Sequence, residues 1–435
     1  MRNIFFILII PILIISCSDK SIIISGDRKE VFNENKDIKI NSEASSEDFK
    51  LGNEISNQSF THLGLNKSHS GGHLLGPNKK LLKSWTKDIG KGLRKDYSLM
   101  PNLVANNKMI FAMDAVGNLK ALNANTGKVL WENKISDRKN SYTAIAGGLS
   151  IYNDVLFAHL GGLDVVSLNA ISGDEIWRKS FDLPVVGGPT ANSKGVIYSL
   201  IDGSIKFLDK DNGEIIWEKT GVNEINGIIG TGSIALNDDV AIVPGFGGDI
   251  SILDIVNGGF LWEDNLASMN PKTAVEQISS IKASPVIDRD NFFAISQSGR
   301  FASYDLNYNS MNWELNISGS QMPWIAGDSI FIISDDANLF CIRKEDGAIR
   351  WSVKLPHKIE ENFIKFQKFI PHFGPIVASG KVYIVSGDKM LRIYNSLNGD
   401  LIEKIKFNSS FSTQPIILNS TLYVINDNAK IYAYK

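Results

Sequence analysis

A recurring eleven-residue phrase confines this chain to a repeat architecture. Ala121-Leu-Asn-Ala-Asn-Thr-Gly127-Lys-Val-Leu-Trp131 returns as Ser167-Leu-Asn-Ala-Ile-Ser-Gly173-Asp-Glu-Ile-Trp177 and as Phe207-Leu-Asp-Lys-Asp-Asn-Gly213-Glu-Ile-Ile-Trp217. Looser copies set Gly258 before Trp262, Asn309 before Trp313, Gly347 before Trp351 and Gly399 before Glu403, and Trp85 stands alone near the start. These positions lie 38 to 52 residues apart, within the range of propeller blades. By length alone, 435 residues suggest about three domains. The repeat overrides that division.

Each unit carries the same strand grammar. A β-branched or aromatic run, such as Val196-Ile-Tyr-Ser or Val382-Tyr-Ile-Val, leads through a Gly, Asp or Asn turn into a second strand, and then into the Gly turn and Trp strand. Short strands between such turns read as antiparallel meanders. Eight units predict an all-β, eight-bladed propeller of four-stranded antiparallel blades over residues 81–435. The final strand, Ile431 to Lys435, stops before any Trp strand, while Leu81-Leu-Lys-Ser-Trp85 supplies one from the N-terminal side. Both termini are therefore expected to close one blade and hide its edges. The repeat residues Trp85, Trp131, Trp177, Trp217, Trp262, Trp313 and Trp351 read as structural rings between blades, Trp324 being the one tryptophan outside the pattern. The turn glycines supply positive φ. Cys341, on the apolar run Leu339 to Ile342, reads as a small buried hydrophobe.

Ahead of the repeat lies an address. Arg2 precedes the apolar run Ile4–Ile15, too short to span a bilayer but suited to a secretory signal. The run ends in Ile14-Ile15-Ser16-Cys17, which resembles a bacterial lipobox. Residues 1–16 are thus expected to be a lipoprotein signal and Cys17 the lipidated residue. Ser18 rather than Asp follows it, which by the enteric rule implies sorting to the outer membrane, periplasmic face. Residues 17–80, rich in Ser, Asn, Lys, Asp and Glu, read as a largely disordered tether. Within it, His69 and His73 have the i, i+4 spacing of a zinc half-site on a helix, but Gly71 and Gly72 argue for a loop. With 45 Lys and Arg against 47 Asp and Glu, no basic field exists for a nucleic-acid backbone. Two cysteines cannot build a disulfide framework.

The repeat resembles that of the quinoprotein-type propellers, a superfamily that holds both quinone-dependent dehydrogenases and BamB-like outer-membrane protein assembly lipoproteins. Lipobox, tether and bare propeller together resemble the BamB-like group, as does Asn66-Lys-Ser-His-Ser-Gly-Gly-His-Leu74. That resemblance implies a non-enzymatic scaffold with no cofactor, docked on the POTRA domains of the BamA-like barrel insertase and its assembly complex through loops of the middle blades. The comparable patches are Ile228, Ile229 and Gly230 ahead of the fourth blade, and Ile278, Ser280, Ile281 and Lys282 ahead of the fifth. Ile229-Gly230 stands where the family carries Leu-Arg, and Ser280 and Lys282 stand at its two acidic positions. The rival dehydrogenases use vicinal cysteines and calcium-holding carboxylates. This sequence has no vicinal cysteines. Asp335-Asp336 and Gly245-Phe-Gly-Gly248 fall where other units have turns. A third class, a surface-tethered binder of carbohydrate or peptide, stays open.

Two long interblade insertions, 267–280 and 357–373, mark surface where binding tends to live on a rigid scaffold. Lys358–Ile370 mixes Phe and Ile with charges. It reads either as a short amphipathic helix for a partner or as a segment packed on the propeller end.

Overall fold

The computed structural model describes residues 39–93, 100–106, 108–135, 147–221, 231–267, 280–360 and 367–435. Eight antiparallel sheets follow one another around a ring. Blades 1 to 7 occupy residues 104–134, 148–180, 185–219, 235–265, 286–315, 324–354 and 372–406, and blade 8 combines 83–88 with 416–434. In most blades, alternation on the outer strand contrasts with nearly continuous burial on the inner three, as in Lys83–Asp88 against Thr421–Asn426, whereas the outer strand of blade 6, Ile349–Lys354, is buried over its first half. The inner strands are apolar on both faces because a neighbouring blade covers each one.

A β-bulge fixes the Trp spacing. In all eight blades the residue before the Trp (or Glu403) is unpaired: Ala121 faces Trp131 and Leu122 faces Val129, so Leu130 is the extra residue. Ile176, Ile216, Leu261, Asn312, Arg350, Ile402 and Ser84 occupy the same place. The added twist turns each ring toward the next blade. There the indole N–H donates to a turn carbonyl: Trp85 to Ala124, Trp131 to Ala170, Trp177 to Lys210, Trp217 to Ile255, Trp313 to Lys344 and Trp351 to Ser396, at 2.8–3.1 Å. The ring lies flat on the turn glycine of that blade. A Cβ on Gly127, Gly173, Gly213 or Gly258 would come within 2.6–2.8 Å of it, and each of these glycines also has φ of 69–80°. The Gly and Trp of one repeat thus meet partners in two different neighbours.

Blade 8 is closed by both termini, as the sequence implies. Thr86 pairs with Tyr432 and Asp88 with Lys430, and Leu82 and Lys435 exchange two backbone hydrogen bonds of 2.9 Å. The chain ends occupy the place where other blades have their Gly turn. Blade 7 consequently has no turn to seat a Trp on, and Glu403 stands there instead.

Candidate functional site: a strapped mouth and an opposite loop face

The expected tether ends well before residue 80. From Lys39 onward the chain is laid down on the propeller. Asn41 caps the short helix Ser42–Ser46, and its own N–H donates to Ile349 on the outer strand of blade 6. Phe49 covers the buried Arg350 guanidinium at 4.2 Å, while Arg343 pairs with Glu47 and Asp346. Five other blades expose Leu130, Ile176, Ile216, Leu261 and Ile402 at the Arg350 position.

Residues 57–74 then cross one end of the ring and bond every blade in turn. Asn57 reaches blade 8 (Asn419 N–H to its carbonyl, its own amide to Ile417), and Ser59–Phe60 pairs with Val104–Asn106 of blade 1. Thr61 accepts from Ile151 of blade 2, and His62 Nε2 accepts from Ala191 of blade 3. Lys67 and Ser68 accept from Leu236 and Ile287 of blades 4 and 5. Gly72 donates to Ile325 of blade 6, and Leu74 bonds Val377 and Ser379 of blade 7. The innermost strand of a blade is an edge with unpaired N–H and C=O groups. This strap satisfies them. Trp324, the tryptophan outside the repeat, pins it: Nε1 donates to the Gly72 carbonyl at 2.8 Å, and a Cβ on Gly71 would lie 2.0 Å from the ring.

The histidines of the strap are loop residues, not a zinc pair. His69 Nδ1 donates to the Pro285 carbonyl, and His73 bridges the Gly52 carbonyl and the Gly380 N–H. No group of three or more metal-ligating side chains occurs among the described residues.

All strap bonds fall at the C-terminal ends of the inner strands. The described loop residues that precede those strands, Ser280, Ile281 and Lys282 among them, lie at the opposite mouth. Ile228, Ile229, Gly230 and Ile278 lie outside the described residues. Ile281 is a correction: it is 0% exposed, packed with Leu266, Ile250 and Phe292, and its backbone bonds Gly245 and Gly232. It secures the blade 4–5 connection and has no surface to offer. Ser280 is also buried, but it begins a polar chain: its hydroxyl donates to Gln297, Gln297 to Ser320, and Ser320 to Asp335 at 2.6 Å. Lys282 is half-buried, which lowers its pKa, and the Asp335 carboxylate opposes that shift. Asp335-Asp336 and Gly245–Gly248 are hairpin turns of blades 6 and 4.

The described ends of the 357–373 insertion form strands and not a helix. Lys358–Glu360 pairs antiparallel with Gln367–Phe369. Phe369 is 62% exposed, with His357 edge-on at 4.9 Å and the Lys358 ammonium 5.5 Å from its ring. The sequence clue was there in the Phe and Ile of the insertion, but their spacing suggested the wrong element. This ring shares a mouth with Lys282.

Residues 84–353 match the family described as outer membrane protein assembly factor BamB. The chain belongs to the BamB family. It is 20% identical to BamB of Yersinia pestis over 81% of this chain and 88% of that one, and 24% identical to BamB of Shewanella oneidensis over 80% and 87%. Among solved structures, BamB of Moraxella catarrhalis superposes with a TM-score of 0.67 at 16% identity, over 82% of this chain and all of that one. Quinohemoprotein alcohol dehydrogenase of Comamonas testosteroni reaches the same TM-score at 10% identity, over 90% and 82%. Shape therefore reports the propeller, and the sequence family separates the BamB group from the dehydrogenases.

Proposed function

We propose that this protein is a non-enzymatic scaffold of outer-membrane β-barrel assembly, anchored by a lipid on Cys17 at the periplasmic face. The observation that carries the reading is the BamB family match over residues 84–353. In this reading it docks on the POTRA domains of the insertase with the unstrapped mouth. A rigid ring presents those loops with their ordering cost met by folding. Lys282 contributes orientation and on-rate, and Phe369 offers an aromatic anchor of the kind that dominates interfaces. The loops with Ile228, Ile229, Gly230 and Ile278 belong to the same proposal.

The test is affinity purification from membranes with identification of co-purifying proteins. Wild type should bring down the insertase. Lys282→Glu with Phe369→Asp should weaken recovery about tenfold or more and leave thermal unfolding near wild type. Ile281→Asp is unsuitable, because it buries a charge. Recovery undiminished in the double variant would move the interface elsewhere; none from wild type would remove the assembly reading. Metabolic labelling with a fatty-acid analogue should mark wild type and miss Cys17→Ala. Protein soaked with pyrroloquinoline quinone and calcium should show no dye-linked alcohol oxidation; turnover that survives dialysis would restore the dehydrogenase reading.

A further inference from the structure

Two histidines hold the strap in a form that tolerates no second proton. His62 Nε2 accepts the Ala191 N–H at 3.0 Å, so that nitrogen carries no hydrogen. Its Nδ1 lies 2.8 Å from the Thr61 hydroxyl, which itself donates to the Leu65 carbonyl. Nδ1 is therefore the protonated nitrogen. Adding a proton at Nε2 would set N–H against N–H and cut the bond to blade 3. His69 donates from Nδ1 to the Pro285 carbonyl at 2.8 Å, and its Nε2 is buried without a partner. Protonation there leaves a buried N–H with no acceptor. Both rings are almost fully buried.

We propose that residues 57–77 form a proton-released strap: protonation of His62 and His69 frees it from blades 3 and 5 and uncovers that mouth of the ring, while the eight blades stay closed. The strap is fixed to most blades by one or two bonds, whereas each blade is a four-stranded ladder, so the strap belongs to the low-stability end of the molecule. The charged and titratable groups that act on His62 are His69 and Lys67, and both oppose a charge on it. Lys67 itself pairs with Asp238 at the rim of blade 4. On His69, burial opposes a charge and the hydrogen bond to the Pro285 carbonyl favours one. Burial holds the two rings down to about 3 and about 4, while a released histidine titrates near 6.5.

Linkage sets the size of the effect. Between pH 7.5 and 5.0 each histidine favours the released state by about 30-fold, and the pair by roughly 1000-fold. The experiment is amide hydrogen exchange of the full chain at both pH values, corrected for intrinsic exchange. Peptides within 57–77 should lose protection by two to three orders of magnitude, while those of the ladder strands Ile215–Lys219 and Lys430–Tyr434 stay more protected than the strap at both pH values. Strap and strands equally protected at pH 5.0 would mean whole-molecule unfolding and overturn the proposal, as would an unchanged strap. His62→Gln with His69→Gln keeps an acceptor for Ala191 and a donor for Pro285 without a titrating group. This double variant should keep the strap protected at pH 5.0; a strap in it that still opens with acid would assign the switch to other groups. Should the variant not fold, the wild-type pair of profiles decides alone.

Discussion

Gly258 and Gly380 share a backbone conformation, with φ of 70° and 69°, yet differ in what a side chain would meet. A Cβ at Gly258 would sit 2.6 Å from the Trp217 ring, and one at Gly380 would touch nothing within 4 Å. Gly258→Ala therefore combines backbone strain with overpacking and should cost about 2–4 kcal/mol, whereas Gly380→Ala should cost only the strain, about 1 kcal/mol. Urea midpoints of the two variants check the difference. The same scale shows what a sequence can and cannot say about one residue. The Gly–Trp unit was readable because it returns at fixed spacing in blade after blade, and only one arrangement gives each Trp a seat. Ile281 was not. A single isoleucine ahead of a strand looks alike whether it faces a partner or, as here, Leu266 and Phe292 of the adjoining blades.

At the scale of elements, the strap explains why a segment can be ordered without showing any period. Its fixings are backbone bonds to strands of seven blades and the His62 side-chain bond to the eighth, so neighbouring residues answer to different partners and no face repeats. The Ser and Asn that helped to suggest a tether suit this crossing, because close backbone approach leaves little space for large side chains. The strand pair Lys358–Glu360 with Gln367–Phe369 escaped for a related reason: mixed Phe, Ile and Lys fit a helical face as well as a strand edge. Gly71→Ala tests the strap without touching a repeat residue. Its methyl would run into the Trp324 ring, so protease cleavage between residues 57 and 77 should quicken about tenfold or more, while the propeller's unfolding midpoint shifts little.

Across the whole molecule, acid acts through buried rings. His62, His69 and His159 are pushed down to about 3, 4 and 4, in each case chiefly by burial. His159 links blades, donating to the Gly187 carbonyl at 2.7 Å and accepting from Gly161. Because the folded pKa values lie below the unfolded value near 6.5, the unfolded chain binds more protons in acid. Stability is full above pH 6.5 and falls as the pH drops toward 4, by roughly 2 kcal/mol per histidine between pH 7 and 5. Urea midpoints measured across that range should fall with acid, and His159→Gln should flatten the slope.

The order in which the strap meets the blades matters for synthesis. Residues 59–74 touch blades 1 to 7 in the order in which those blades are made, and the strap is complete before the first of them exists. A growing chain therefore carries a ruler onto which each new blade can register, with loops that lengthen one blade at a time. The exception is the Asn57 contact with Ile417, 360 residues away, which must wait for nearly the last residue, like the closing of blade 8. Loop closure on that scale is slow. Refolding of the full chain should thus show early protection in the first blades, with the ring sealed at blade 8 as the final and slowest event.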